Sequence, residues 1–251
     1  MIISIIGLTL FVGLVGVTLL GGWLRRIVPA EHLSADSKEV VKLALGLVAT
    51  MTAILLGLLI SSAKGTFDTT RTEVIQMAAK VALLDRVLKL YGPQATDSRR
   101  ALRNSVADGV GQIWPAERTG SVRLDPNEQM GDALYVAVQR LSPQDDTQRE
   151  LKTQATNLMA QLAELRALLQ AQAIPSLSKP LLVALASWLV VIFLGFSLLA
   201  PANATSTLAL VAGAFSVACA VFIILELNYP FAGAIRIPSE PMTNVLKHLG
   251  N

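Results

Sequence analysis

The stretch VKLALGLVATMTAILLGLLIS, residues 41–61, holds one charge, Lys42, and three more runs of the same kind occur in the chain. An apolar run of about 20 residues crosses the hydrocarbon core of a bilayer as a helix. Only a helix or a closed barrel satisfies every backbone N–H and C=O there. The other runs are roughly Ile2–Leu24, Leu181–Leu199 and Ser206–Leu225. They predict an all-α integral membrane protein with four transmembrane helices in two pairs and a helical bundle between spans two and three. The predicted organisation is a transmembrane hairpin at 1–63, an extramembrane bundle at 64–178, a second hairpin at 179–228 and a C-terminal tail at 229–251. Charged residues make up 16% of the chain, against about 25% in soluble domains. The first run has no basic start and no small-residue cleavage site, so it reads as a retained span rather than a removed signal.

The polar middle carries a helical pattern. Phe67, Val74, Val81 and Leu88 recur every seventh residue, as do Thr70, Met77, Leu84 and Tyr91. This a/d stripe, uninterrupted by Gly or Pro from Thr66 to Tyr91, predicts that span two continues outward as one helix, stopped at Gly92-Pro93. Further helices are predicted at Thr96–Ile113 and Glu128–Leu141, with a turn-rich loop at 115–127 between them. Ser142-Pro143 reads as an N-cap followed by proline, opening a last helix to Ala173 that feeds span three. Its stripe is Leu151, Leu158, Leu165 with Ala155, Leu162, Leu169.

Chemistry-bearing residues are sparse. The chain has two histidines, His32 and His248, and one cysteine, Cys219. No zinc, nucleophile-elbow or phosphate-loop pattern occurs, so no enzyme activity, metal or cofactor is predicted. Residues 64–180 mix fifteen Lys/Arg with thirteen Asp/Glu. That surface lacks the basic stripe a nucleic-acid partner requires.

Ionisable groups inside spans are functional hypotheses by default, and Glu226 is the one acid in the apolar runs. It lies about 21 residues beyond Thr205, roughly 32 Å along a helix and so one hydrocarbon thickness away. Two readings follow: an interfacial carboxylate paired with a base such as Lys64 or Lys179, or a ring of carboxylates around an oligomer axis. Gly7, Gly13, Gly16, Gly46 and Gly57 read as sites of close helix approach. Near the span ends, Lys64, Arg71, Lys80, Arg166, Lys179, Arg236 and Lys247 share one face, against Arg25, Arg26 and Lys38 on the other. The positive-inside rule then predicts an inner-membrane, multi-pass protein with its middle domain and both termini cytoplasmic.

Four segments in order, FDTTRTEVIQMAAKVALLDRVLKLYGP, QIWP, APANAT and LELNYPFAGAIRIPSEP, resemble a bacterial membrane family of bestrophin-like domains. The resemblance covers essentially the whole chain. It implies a homo-oligomer, a pentamer, that conducts ions, anions first, with span two lining the pore. The gate candidates are then Leu55, Leu56, Leu58, Leu59 and Ile60. Asn228-Tyr229-Pro230-Phe231 is similar to the Asn-Pro-Phe segment of bestrophins. It implies a structural role for Glu226 and Asn228, with Pro230 and Phe231 bracing the exit of span four. Two features depart from bestrophin channels: span two has no aromatic residue, and a single acid, Glu240, follows Phe231. Calcium activation is therefore not implied. The alternative expectation is a membrane-anchored helical scaffold or sensor without a pore, in which the heptad helices relay a partner's movement.

Overall fold

The computed structural model describes residues 2–27, 35–114, 128–172, 179–201 and 203–250. Among them are eight α-helices and no strand. Four of the helices are long and apolar enough to cross a bilayer. The chain divides into two compact units, one within Met1–Thr66 and Ser176–Asn228, the other within Phe67–Pro175 and Tyr229–Asn251.

The apolar unit consists of α1 (Ile2–Leu24), the first part of α2 (Ala35–Tyr91), α6 (Lys179–Leu199) and α7 (Ala204–Leu227). α1 packs against α6 and α7, and α6 and α7 also meet each other. On α1 the buried positions are Gly7, Leu14, Thr18 and Gly21, a single helical stripe. At its end the backbone of α6 comes close. A Cβ on Gly21 would stand 2.8 Å from Ser197 Cβ and 3.0 Å from the Leu194 carbonyl oxygen. That proximity lets Ser197 Oγ donate to the Thr18 carbonyl, while Thr18 Oγ1 donates to Leu14 O at 2.9 Å. Gly195 does the same for α2, where a Cβ would meet the Leu45 methyls at 2.6 and 2.7 Å. By contrast, Gly13, Gly16, Gly46 and Gly57 have nothing within 4 Å of an added Cβ. The tightest approach among the described residues falls on Gly21 and Gly195, while at Gly7 an added Cβ would stand in ordinary contact with Phe222 of α7, 3.4 Å away.

The turn from α6 to α7 is fastened at both sides. Arg25 Nη1 donates to the Ala200 carbonyl. Asn203, in extended backbone, caps α7 by accepting from Ser206 N at 2.8 Å. The asparagine of Asn203-Ala-Thr205 is therefore a helix cap, satisfying one of the amides left free at a helix start.

The helical unit takes in the remainder of α2, α3 (Thr96–Ile113), α4 (Glu128–Gln139), α5 (Asp146–Gln172) and α8 (Glu240–His248). α2 is continuous to Tyr91, and Gly92 ends it with a φ of 109°, a conformation that favours glycine. Both seven-residue series face inward: Val74, Val81, Leu84 and Leu88 are all buried. Leu84 and Leu88 are fully enclosed and contribute about 2 kcal/mol each by burial. Across the turn at Pro93, Arg99 of α3 binds Asp85 of α2 through two parallel bonds, Nε to Oδ1 at 2.8 Å and Nη2 to Oδ2 at 3.1 Å.

The start of α5 differs from the expectation. Asp145, not Ser142, supplies the cap, its Oδ1 accepting from Gln148 N at 2.7 Å. Gln148 Oε1 in turn accepts from Gln144 N at 2.8 Å, and its Nε2 donates to Tyr91 O at 3.1 Å. That last bond ties the first turn of α5 to the end of α2, which selects the later start over the Ser-Pro signal. The tail is not a separate element either. Met242 and Leu249 are buried in the helical unit, and Arg103 Nη1 reaches Leu249 O at 3.3 Å. The loop 115–127 and the junction 173–178 expected to join α5 to span three lie outside the described residues, as does His32.

Candidate functional site

Within the apolar unit, α2 carries two distinct faces between Val40 and Ala63. Leu45, Thr52, Leu59 and Ala63 are buried against the chain itself. Leu43, Leu47, Met51, Ile54 and Leu58 form a continuous exposed stripe at spacings of three and four. The sequence-derived gate candidates divide between these faces. Leu58 is 62% exposed, Leu59 is 5% exposed, and Leu55, Leu56 and Ile60 lie between. The hydroxyls along this stretch bond back to their own helix, Thr50 Oγ1 to Gly46 O at 2.9 Å and Thr52 Oγ1 to Val48 O at 2.8 Å. They leave the outward stripe purely aliphatic and thioether.

The last turns of α7 are the most enclosed part of the apolar unit. Ile224, Leu225, Glu226, Leu227 and Asn228 are all buried. Glu226 is 2% exposed, so its carboxylate does not face solvent. Asn228 closes the helix twice over, its Nδ2 donating to Ile224 O at 2.8 Å and its backbone N–H reaching the same carbonyl at 3.3 Å.

Directly after this helix end the chain forms a strap, residues 229–237, in the helical unit. Pro230 O accepts from Ile237 N at 2.7 Å, and Ala232 N donates to Tyr229 O at 3.1 Å. Gly233 turns the strap with a φ of 95°. Pro230 and Phe231 are buried. Phe231 meets Trp114 edge to face, and the Trp114 indole N–H donates to Ile237 O at 2.9 Å. Trp114 and Ile237 were not singled out by sequence reasoning. The one hint was that Trp114 closes α3 beside a proline, a place where an indole often finds a backbone acceptor.

Among the described residues no three His, Cys, Asp or Glu side chains group as a metal ion would need. Cys219 is half-buried on α7 and free.

With this geometry in view, comparisons with known proteins are consistent across the length of the chain. The sequence model of a family described as Bestrophin-like domain matches residues 12–242. No curated protein matches in sequence. Two crystal structures of a bacterial bestrophin homologue from Klebsiella pneumoniae, each with one substitution, share the fold. One has a TM-score of 0.66 at 16% identity and covers 97% of both chains. The other has a TM-score of 0.65 at 17% identity and covers 95% of this chain and 97% of its own.

Proposed function

The chain belongs to the bestrophin-like family, and from that premise we propose that it assembles as a homo-oligomer, a pentamer, that conducts anions across the inner membrane. The observation that carries this reading is the exposed stripe of α2. Leu43, Leu47, Met51, Ile54 and Leu58 are exposed, at least half of each side chain being left open by its own chain. In a ring of copies a stripe of this kind supplies the wall of an axial path, and a hydrophobic constriction gates such a path by dewetting. Leu58 and Ile54 form that constriction; Leu59 packs inside its own subunit and supports it.

Charge favours anions. Between Val40 and Phe67 the only ionisable residues of α2 are Lys42 and Lys64, and rings of basic side chains select anions as rings of acids select cations. Glu226, buried in its own chain, adds no acidic ring. The helical domain and both termini face the cytoplasm, in keeping with the excess of Lys and Arg on that side. The protein acts without catalysis, with the lipid bilayer, its own copies and permeant ions as its partners.

The test is chloride efflux from liposomes holding the purified protein, with nitrate and gluconate as alternative anions and potassium as the cation control. Efflux faster than from protein-free liposomes, with chloride and nitrate preferred to gluconate and potassium, is the expected result. Efflux equal to that of protein-free liposomes at every voltage overturns the reading.

A further inference from the structure

The helical unit contains a cavity of about 740 Å³ bounded by α2, α3, α4, α5 and α8. Its wall is mainly apolar, with Met77 and Val81 from α2, Leu102 from α3, Leu134 from α4, Met159 from α5 and Met242 from α8, and polar side chains such as Ser105, Gln112 and Thr156 are interspersed. Native interiors rarely leave voids larger than a water, and pockets for small molecules span about 300–1,000 Å³ with few polar groups. This one is of that size.

Two further observations say what it would hold. Arg166 of α5 lines the cavity and is half-buried, and among the described residues no hydrogen bond or ion pair engages it. The other charged group on the lining is Asp132, which is exposed at the rim. A half-buried guanidinium without a protein partner favours an anion brought from outside, and its fork matches the two oxygens of a carboxylate. Gly109 and Gly131 also line the space, and a Cβ on either would meet nothing within 4 Å. Glycine is a poor helix former, and no close helix contact requires it at these positions. Its effect there is to keep the cavity open.

We propose that this cavity binds a long-chain fatty acid, with the chain in the aliphatic interior and the carboxylate on Arg166. Among the described residues Arg166 is the one cation on the lining and Asp132 stands at the rim, so the charge balance fits the single negative charge of a carboxylate better than the second charge of a phosphate headgroup. The three methionines suit a flexible chain, since the thioether side chain adapts to irregular shapes. A bound chain would touch α2, α3, α4, α5 and α8 at once and stiffen the bundle. The proposal does not depend on ion conduction, because its readout is binding.

Trp114 lies in the cavity wall and provides an internal reporter. The full-length protein is made with Trp23→Phe and Trp188→Phe, so that Trp114 is the one tryptophan, and placed in nanodiscs. Titration with 11-(dansylamino)undecanoic acid should give saturable energy transfer from Trp114, reversed by oleate and not by equimolar oleyl alcohol. Arg166→Gln should weaken binding by roughly ten- to hundredfold, the loss of one charge-assisted contact. Arg166→Lys should weaken it several-fold, since the charge stays while the fork is lost, and Gly109→Leu should abolish it by filling the space. Absence of saturable transfer, equal displacement by acid and alcohol, or unchanged affinity in Arg166→Gln overturns the proposal. Transfer that appears only after the oligomer is dissociated also overturns it, because a second copy of the chain would then be the occupant. Helical content and elution volume of each variant separate lost binding from lost folding, and Arg166→Lys preserves the test if Arg166→Gln fails to fold.

Discussion

The rings of Trp114 and Phe231 meet edge to face, with centroids 5.7 Å apart and planes at 83°. This contact fixes the strap that follows α7 to the end of α3, and the indole N–H bond to Ile237 O closes it. Edge-to-face pairs contribute about 0.5–1.5 kcal/mol beyond the area they bury. Trp114→Phe keeps the ring but loses the donor, and should cost about 1 kcal/mol. Trp114→Ala should cost about 3–5 kcal/mol, because a large cavity opens. Unfolding of Trp114→Ala, Phe231→Ala and the double variant should return a coupling of about 1 kcal/mol. Strict additivity would show that the contact holds nothing together.

Asp85 and Arg99 form the corresponding fastening at the turn between α2 and α3. The Asp85 hydrogen bond raises the Arg99 guanidinium above its already high ordinary value, against the opposing effect of burial. A base whose folded value is raised lends stability that is present below its unfolded value and is lost as pH climbs past its folded one. The pair's contribution should therefore stay constant as the guanidinium stays charged through neutral pH. Asp85→Asn should destabilise by about 2–3 kcal/mol, and a stability unchanged by that substitution would remove the pair from the account of the turn.

Leu58 and Leu59 are neighbours in sequence with opposite surroundings, and they should fail in opposite ways. Leu58→Ala should raise chloride efflux with little change in thermal stability, since its side chain touches little of its own chain. Leu59→Ala should lower stability by about 2–4 kcal/mol and change efflux less. If Leu59→Ala opens the path while Leu58→Ala leaves it unchanged, the buried face of α2 rather than the exposed one lines the pore.

Gly21 and Gly195 should differ in their tolerance of a methyl group. At Gly195 the obstacle is the far end of Leu45, which can rotate; at Gly21 it includes the Leu194 carbonyl oxygen, which cannot. Gly21→Ala should cost about 1–3 kcal/mol. Gly195→Ala should cost less, and Leu45→Val should restore part of the loss. Equal destabilisation at the two sites would mean that Leu45 is held as rigidly as backbone.

Native mass spectrometry of the solubilised protein should give five times the 26.7 kDa chain mass. A monomer or dimer as the largest species would remove the ring on which the conduction proposal stands.

Much of the helical framework was legible from local pattern. The series through Phe67 and Thr70 predicted the inward face of α2 because a seven-residue apolar period has one geometric solution on a helix. Gly92-Pro93 marked its end because few residues accept a positive φ there. The cap of α5 is not legible in the sequence, since Ser142 and Asp145 are comparable caps in isolation. The choice between them fell to Gln148 reaching the end of α2. For the candidate site, sequence named five residues from Leu55 to Ile60 but not which of them face outward. All are apolar, and a span that is apolar all round has no moment to read.

The sequence by itself determined the elements: four apolar helices, a long helix carried past the second of them, and amphipathic helices with their buried stripes. These follow from side-chain period and from the need to satisfy every backbone group, both local matters. The tertiary structure alone decided that α1 packs with α6 and α7, that Gly21 and Gly195 are the points of tightest approach, that Trp114 anchors the strap, and that Arg166 looks into a cavity. Such facts depend on which faces meet between helices far apart in the chain. Apolar surfaces of similar composition are energetically interchangeable until steric fit selects among them.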